Sequence, residues 1–178
     1  MNKNEYINNY KIEKLTKHHH LNDFNCENKK INSFLKKDAL EQQNNRFNVT
    51  YLAIYNNMIL GYYSLLADNI RLKKVDFNIP KEYKNAPAIK IGQFARDKKF
   101  KKMGLGSELL DIACRDIKKQ SMKFGIKYIT VDSYVSARGF YEGNDFKYVQ
   151  NIDFGKIKKA EKRDPNSIVG MYKNVDYI

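Results

Sequence analysis

The sequence has few of the residues that usually form cross-links or mark flexible linkers. Its 178 residues include two cysteines, three prolines, nine glycines and no tryptophan. Cys26 and Cys114 lack the spacing of a zinc site, and two distant cysteines make no disulfide framework, so we interpret both as buried thiols. No Gly/Ser/Pro-rich linker divides the chain, and this length favours one domain, spanning residues 1–178.

Long apolar runs are also missing. No stretch approaches the roughly 18 to 20 residues that a membrane-spanning helix needs. The N-terminal residues MNKNEYINNYKIEKL are polar and lack the apolar segment of a secretory signal. The run His18–His20 has no acidic or thiol partner spaced to complete a metal site, so we interpret it as a polar loop and predict no bound metal. We therefore expect a cytoplasmic protein that does not contact the membrane.

Positive charge is what the sequence has in excess. Thirty-three Lys and Arg residues stand against twenty Asp and Glu, which leaves a net charge of +13. Such an excess attracts phosphates, whether they belong to nucleic acid, to a coenzyme or to a membrane surface. Lys and Asn are abundant throughout this chain, however, so charge alone does not identify the partner.

The spacing of apolar residues predicts an alternation of helices and strands. The strand–helix–strand order over 88–134 implies a parallel pair with a right-handed crossover, and the hairpin implies antiparallel strands elsewhere. We expect an α/β (α+β) domain with a mixed, mostly antiparallel sheet, a central parallel pair and flanking helices. The lysine-rich stretch 155–166 is interpreted as a loop. The predicted elements are a helix over 27–44, strands over 48–55 and 58–68 around an Asn-Asn turn, a strand over 88–97, a helix over 106–124 ended by Gly125, a strand over 126–134, a short helix over 135–144, and strands over 145–152 and 167–175.

The stretch KKMGLG (101–106) lies between a predicted strand and the longest predicted helix. A helix N-terminus presents unpaired N–H groups and a partial positive charge, and is therefore a ready anion site. Glycines just before it let the backbone approach an oxyanion closely. The pattern is neither a Walker loop nor a Rossmann fingerprint. It predicts a pyrophosphate-binding turn, although a solvated loop has the same composition.

A second motif, ARGFYEGNDF (137–146), follows the next strand and places Phe140 and Tyr141 on a short helix. With these two motifs in this order, the chain resembles the GCN5-related N-acetyltransferases (GNAT). That family carries an Arg/Gln-x-x-Gly-x-Gly/Ala turn and, later, A-x-x-F-Y-E-x-x-G-F. Lys101 stands here for the usual Arg or Gln, and Asp145 stands for the glycine before the last Phe.

This resemblance implies transfer of an acetyl group from acetyl-CoA to an amine, without a metal. It implies that Tyr141 is the general acid that protonates the leaving thiolate. It also implies that strand backbone at Phe94, Ala95 and Arg96 binds the pantetheine arm and that the turn binds the pyrophosphate. The turn residues are Lys101, Lys102, Met103, Gly104, Leu105, Gly106 and Ser107.

A narrower resemblance covers about residues 12–150. LNDFNCENKKINSFLKKDAL, ILGYYSLLA and IGQFARD are similar to segments of the acetyltransferase toxins of bacterial toxin–antitoxin pairs. This implies acetylation of the amino group of aminoacyl-tRNA, a ribbon–helix–helix antitoxin as a partner, and a homodimer. A tRNA partner suits the positive charge. The candidate tRNA contacts are Arg71, Lys73, Lys74, Lys98, Lys99 and Arg138.

Two alternatives stay open. In the first, the acceptor is a small-molecule or protein amine, which an acidic acceptor pocket would favour. The segments FNCENKK and EYK offer few carboxylates to build such a pocket. The chain is a non-catalytic acyl-CoA-binding or RNA-binding module if the altered turn no longer supports turnover. An intact Tyr141 argues against this last alternative.

Overall fold

The computed structural model describes residues 9–71, 84–149 and 154–178. Helices and strands alternate through these ranges much as the sequence predicts. The strands are β1 (Lys11–Lys14), β2 (Val49–Tyr55), β3 (Met58–Arg71), β4 (Asn85–Arg96), β5 (Tyr128–Tyr134), β6 (Lys147–Tyr148) and β7 (Ile168–Asn174). The α-helices are α1 (Lys29–Ser33), α2 (Ala39–Asn44), α3 (Leu105–Phe124), α4 (Arg138–Glu142) and α5 (Phe154–Arg163). Short 3₁₀ helices cover Lys98–Phe100, Val135–Ala137 and Val175–Tyr177.

The strands form one seven-stranded sheet in the order β1-β2-β3-β4-β5-β7-β6. β4 and β5 are its parallel pair, and α3 connects them. The pairs β1/β2, β2/β3, β5/β7 and β6/β7 are antiparallel. This arrangement confirms the predicted fold class.

The chain packs as two compact units. The first contains residues 1–66 and 91–113, and the second contains residues 67–90 and 114–178. β3, β4 and α3 each contribute residues to both units.

The predicted helix over 27–44 is present in the first unit but is not uniform. A π-helical turn, Phe34–Asp38, separates α1 from α2, and the amide of Ala39 bonds the carbonyl of Phe34. The turn lies where Leu35 and Ala39 enter the core. Tyr62 lies in the same core, where its hydroxyl donates to the carbonyl of Ile31 at 2.9 Å. This hydrogen bond joins α1 to β3.

The predicted hairpin is confirmed, including its turn. Asn56 and Asn57 have φ values of 47° and 61°. Positive φ at both central residues defines a type I′ turn, whose twist matches that of the flanking strands, and asparagine tolerates it better than most residues. The two asparagines therefore fix the register of β2 against β3 next to the turn, and the register shifts between Ala53 and Ile54.

Helix α3 extends over the predicted range and ends at Gly125, whose φ is +66°. Leu109, Ala113 and Ile117 of its predicted apolar face are buried. Phe124 is not: it is 64% exposed, and the Lys123 ammonium lies 5.5 Å from its ring centre. The buried face of the helix therefore ends before its last residue.

Three segments differ from the sequence interpretation. The lysine-rich stretch predicted as a loop forms helix α5, with Ile157 buried. β1 is an edge strand that the polar N-terminal sequence did not indicate. The strand expected over 145–152 pairs only at Lys147–Tyr148, and residues 150–153 lie outside the described ranges. In the described part of the chain, no helix is both long and apolar enough to cross a bilayer.

Candidate active site

The predicted anion-binding turn lies in the first unit, between the 3₁₀ helix Lys98–Phe100 and α3. Two of its residues have left-handed backbone, Lys102 with φ 62° and Gly104 with φ 80°. The first helical hydrogen bond of α3 runs from the Glu108 amide to the Gly104 carbonyl at 3.2 Å. The amides of Leu105 and Gly106 precede it, as expected for the positive end of a helix dipole. The backbone therefore has the form that binds an anion.

Gly104 is the residue of this turn whose backbone conformation favours glycine over other amino acids. A Cβ added there would have no neighbour within 4 Å, so space does not require glycine. The positive φ does, because side chains other than glycine are strained in that region. Leu105, next to it, is fully buried and anchors the start of the helix. The turn thus places a solvent-exposed glycine directly before a helix whose first residue is anchored in the core.

The side chains around the turn are mostly basic and exposed. Lys98, Lys99, Lys101 and Lys102 are all exposed to solvent. Lys101 Nζ lies 3.5 Å from Glu27 Oε2, and more than half of each side chain is exposed, so this pair adds little stability. Exposed lysines of this kind attract anions over distance, whereas backbone amides at a helix N-terminus are the groups able to hold an anion in a fixed position.

Asp97 is a buried residue that the sequence interpretation did not single out. Its carboxylate accepts hydrogen bonds from the amide of Asn25 at 2.8 Å and the amide of Lys99 at 2.9 Å. Its own amide donates to the Leu60 carbonyl at 2.7 Å. These bonds cap the 3₁₀ helix and fix the approach to the turn. The Asp-x-Lys order before a basic turn is an Asx-type cap, a signal that could have indicated this role.

The end of β4 carries the three residues predicted to bind the pantetheine arm. Ala95 is buried, whereas Phe94 and Arg96 are half-buried. A Cβ on Gly61 of β3 would lie 2.9 Å from the Ala95 carbonyl oxygen and 2.9 Å from a Leu109 methyl group. Gly61 is therefore required for the close approach of β3 to this end of β4.

Tyr141 lies on α4 in the second unit and is only 8% exposed. Its ring packs edge-on against Phe140 at 5.1 Å and Phe146 at 5.6 Å between centroids. Burial raises the pKa of the Tyr141 hydroxyl well above its usual range, and the Cys114 thiol adds to the shift. A phenol in this environment stays protonated at neutral pH and is able to donate a proton.

Arg138, predicted to contact tRNA, is on the same short helix. It is half-buried, and its Nη1 donates to the Val135 carbonyl at 2.9 Å. Burial and a hydrogen bond to Glu142 raise the pKa of Tyr148 to about 12, and the Arg138 guanidinium partly offsets this rise. Arg138 is thus engaged in a local network and differs from the exposed lysines of the turn.

The remaining predicted contacts are Arg71, Lys73 and Lys74. Arg71 is exposed at the end of β3 in the second unit. Lys73 and Lys74 lie outside the described residues. Within the described ranges no group of three metal-ligating side chains occurs. His19, from the polar histidine run, has its ring nitrogens next to the Thr16 amide at 3.0 Å and Glu13 at 3.3 Å.

Residues 16–155 match the family model described as "Acetyltransferase (GNAT) domain". The chain therefore belongs to the GNAT acetyltransferases. The prediction of an acetyltransferase is confirmed at this level. As an acyltransferase of this family, the chain uses an acetyl-CoA donor. No curated protein sequence matches it.

Several solved structures share the fold of this GNAT chain. One, described as "AtaT complexed with acetyl-methionyl-tRNAfMet", is 23% identical and gives a TM-score of 0.78, with 95% of this chain and 96% of that one covered. A tyrosine-to-phenylalanine mutant of KacT is 21% identical with a TM-score of 0.76, covering 94% and 96%. "AtaTR bound with AcCoA" is 22% identical with a TM-score of 0.74, covering 96% of each. At this identity the likeness establishes the fold.

The departure at Asp145 has a structural meaning within the family pattern. Asp145 has a φ of 65°, a conformation that favours the glycine found there in the family. Its carboxylate lies 3.8 Å from the Lys173 ammonium, at the long end of an ion pair. The motif has therefore kept its backbone geometry while changing the residue that suits it best.

Proposed function

We propose that the chain transfers the acetyl group of acetyl-CoA to the amino group of an aminoacyl-tRNA, with residues 1–178 acting as one N-acetyltransferase domain. The proposal of an aminoacyl-tRNA acceptor is supported by the structural likeness, over 95% of this chain, to AtaT complexed with acetyl-methionyl-tRNAfMet. The donor follows from the GNAT family assignment and from the turn before α3.

The donor-binding residues are proposed from the turn and the strand that leads to it. Backbone amides from Lys102 to Ser107 bind the pyrophosphate, supported by the helix dipole of α3 and the positive φ of Gly104. The backbone of Phe94–Arg96 binds the pantetheine arm. Lys101, at the first position of the motif, supplies charge without the planar fork of an arginine.

Tyr141 is the proposed general acid. The neutral amine nitrogen attacks the thioester carbonyl carbon, a C–N bond forms and the C–S bond breaks. The leaving sulfur takes the proton of the Tyr141 hydroxyl, and the nitrogen releases one proton, which restores the phenol by way of solvent. The raised pKa of Tyr141 means that the phenol carries this proton at neutral pH.

The acceptor carries a polyanion, and the basic residues fit this partner. The sequence of helix α5 contains Lys156, Lys158, Lys159, Lys162 and Arg163 against a single acid, Glu161. Exposed Lys159, Lys162 and Arg163 lie on the side of the helix away from buried Ile157. We propose that α5 joins Arg71, Lys98, Lys99 and Arg138 as tRNA contacts.

Partners and location follow from the same proposal. A solved relative is described as AtaT "bound to the C-terminus of the antitoxin AtaR and Acetyl-CoA". We propose that this chain is likewise neutralised by a small antitoxin, forms a homodimer and acts in the cytoplasm, where charged tRNA is found. Co-expression with a neighbouring ribbon–helix–helix gene, where one is present, tests the antitoxin.

The test is transfer of label from radiolabelled acetyl-CoA. Charged tRNA, uncharged tRNA and a polyamine panel are incubated with the wild-type chain and with Tyr141→Phe. We expect label on charged tRNA only and its loss in the variant. Label on polyamines alone contradicts the tRNA acceptor while leaving the acetyltransferase intact. Coenzyme binding without label anywhere contradicts catalysis.

A small-molecule or protein amine is the second candidate acceptor. The observation that favours it is a pair of carboxylates, Asp68 and Asp132, which the second unit brings to either side of Lys90. No sequence motif indicates this cluster, because the three residues come from three strands. The polyamine arm of the same experiment separates the two candidates.

A further inference from the structure

The second unit contains an open cavity of about 420 Å³ on its part of the sheet. Strands β3, β4, β5 and β7 line it, and its lining includes Arg71 and the cluster of Asp68, Lys90 and Asp132 that favours an amine acceptor. Its volume lies within the range of about 300–1,000 Å³ that is typical of small-ligand sites. The lining separates into a charged side and an apolar side.

The charged side is built around Lys90. Its ammonium lies 3.0 Å from Asp132 Oδ2 and 3.6 Å from Asp68 Oδ2. Partial burial lowers the pKa of Lys90, but the two carboxylates outweigh it and the pKa is raised. Thr130 Oγ1 also donates to Asp68 at 2.5 Å. Two carboxylates against one lysine leave an excess negative charge at this point.

Asp132 is the accessible member of the group. Its side chain is 53% exposed, compared with 22% for Asp68 and 25% for Lys90. Asp132 is therefore able to accept a second donor from a ligand without giving up Lys90. Arg71, an exposed cation at the end of β3, also lines the cavity.

The apolar side is formed by Val149 and Ile168 next to Gly170. The amide of Val149 donates to the Gly170 carbonyl at 3.1 Å, which fixes this wall. Ile168 is 64% exposed. An apolar group placed in the cavity would cover it.

We propose that this cavity binds the aminoacyl-adenosine end of the charged tRNA and selects amino acids with apolar side chains. The inference rests on the proposed function. The α-amino group bonds Asp132, the amino-acid side chain packs against Val149 and Ile168, and Arg71 neutralises the terminal phosphate. Helix α4, which carries Tyr141, packs against β5, the strand that carries Asp132.

Two variants test the two sides of the cavity by different readouts. Asp132→Asn removes the charge that binds the amine, and we expect KM for charged tRNA to rise about tenfold with kcat nearly unchanged. Asp176→Asn is the matched control, since Asp176 is a half-exposed aspartate of the same unit that pairs with Lys127 outside the cavity. The control should leave KM unchanged.

Ile168→Lys tests selection of the amino acid. Initial rates are compared for tRNA charged with methionine, leucine and glutamate. The wild-type chain should prefer the apolar amino acids, and the variant should move the preference towards glutamate by about tenfold, because the new ammonium meets an acidic side chain. Far-ultraviolet circular dichroism verifies that the variants are folded.

The outcomes separate the inference from the proposed function. Suppose that charged tRNA is labelled but that neither variant changes KM or the amino-acid preference. This result overturns the cavity assignment and leaves the proposed function intact. Absence of label on any charged tRNA overturns both. If a small amine is labelled instead, the function and the aminoacyl assignment fail together. Asp132→Asn then shows, by its KM for that amine, whether the cavity holds an amine at all.

Discussion

The carboxylate of Asp97 accepts a hydrogen bond at 2.8 Å from the backbone amide of Asn25, 72 residues away in sequence. Its second oxygen accepts from the amide of Lys99. One buried side chain thus ties the loop before α1 to the segment that leads into the anion-binding turn. The donors here are backbone amides, so they cannot be removed when the acceptor is mutated.

We therefore expect Asp97→Ala to lower the free energy of unfolding by about 2 to 4 kcal/mol, since two amides lose a charged acceptor. Asp97→Asn should cost less, because its amide oxygen still accepts. Urea denaturation measures both. Asp164→Ala is the control: Asp164 caps the Asn166 amide at 2.9 Å in an exposed position, and its loss should cost less than about 1 kcal/mol. Equal midpoints for the Asp97 and Asp164 variants would contradict the prediction.

Gly104→Ala separates backbone strain from anion binding. Gly104 and Gly125 both have positive φ, and both have open space where a Cβ would lie, so each Ala substitution should destabilise the chain by about 1 kcal/mol. Only Gly104 belongs to the turn proposed to bind pyrophosphate. We expect the KM for acetyl-CoA to rise in Gly104→Ala and to stay constant in Gly125→Ala. A parallel rise in both would mean that general destabilisation is the cause.

Tyr141→Phe should reduce kcat by about 10² to 10⁴-fold while leaving the fold intact, because only the proton donor is lost. Tyr62→Phe is the control, since this buried hydroxyl donates to the Ile31 carbonyl and its loss should affect stability but not turnover. The raised pKa of Tyr141 also predicts a pH profile. The phenol is protonated below its folded pKa, so kcat should not fall between pH 7 and about 11 through loss of this proton, whereas a phenol with the ordinary pKa of about 10 would lose it in that window. A decline in that window that is absent from Tyr141→Phe would contradict the assignment.

Asp145→Gly should stabilise the chain. The positive φ of Asp145 is strained for a side chain, and the ion pair with Lys173 is long and exposed on the aspartate side. The free energy gained by relieving this strain should exceed the cost of losing the ion pair and the cost of the greater entropy of glycine in the unfolded chain. The free energy of unfolding should therefore rise by about 0.5 kcal/mol. Thermal unfolding measures it. A lower midpoint would mean that the ion pair contributes more than its geometry indicates.

Local patterns in the sequence are sufficient where one physical rule decides the structure. The Asn56-Asn57 turn is predictable because few residue pairs adopt positive φ twice in succession. Helix α3 is predictable from the spacing of Leu109, Ala113 and Ile117. The turn before it is predictable because the Gly-x-Gly pattern stands directly before the predicted helix.

Tertiary contacts decide the features that the sequence interpretation missed. Helix α5 has the composition of a loop because its many lysines obscure Ile157, a buried residue through which the helix packs against the rest of its unit. β1 exists because β2 offers it a free edge, which no local pattern indicates. Asp68, Lys90 and Asp132 are polar residues of three separate strands, and only the sheet brings them together.

The exposed basic residues of helix α5 should contribute directly to RNA affinity. Lys159→Glu combined with Arg163→Glu should weaken binding of charged tRNA and reduce the slope of log Kd against log salt by about 0.7 to 0.9 for every phosphate that the variant no longer neutralises. Lys119→Glu combined with Lys123→Glu changes the net charge equally, on exposed residues near the end of α3, and serves as the control. Filter binding at several salt concentrations measures the slope. If both double variants change the slope equally, only net charge matters and α5 is not a specific contact. If only the α5 variant changes the slope, the helix contacts the RNA backbone directly.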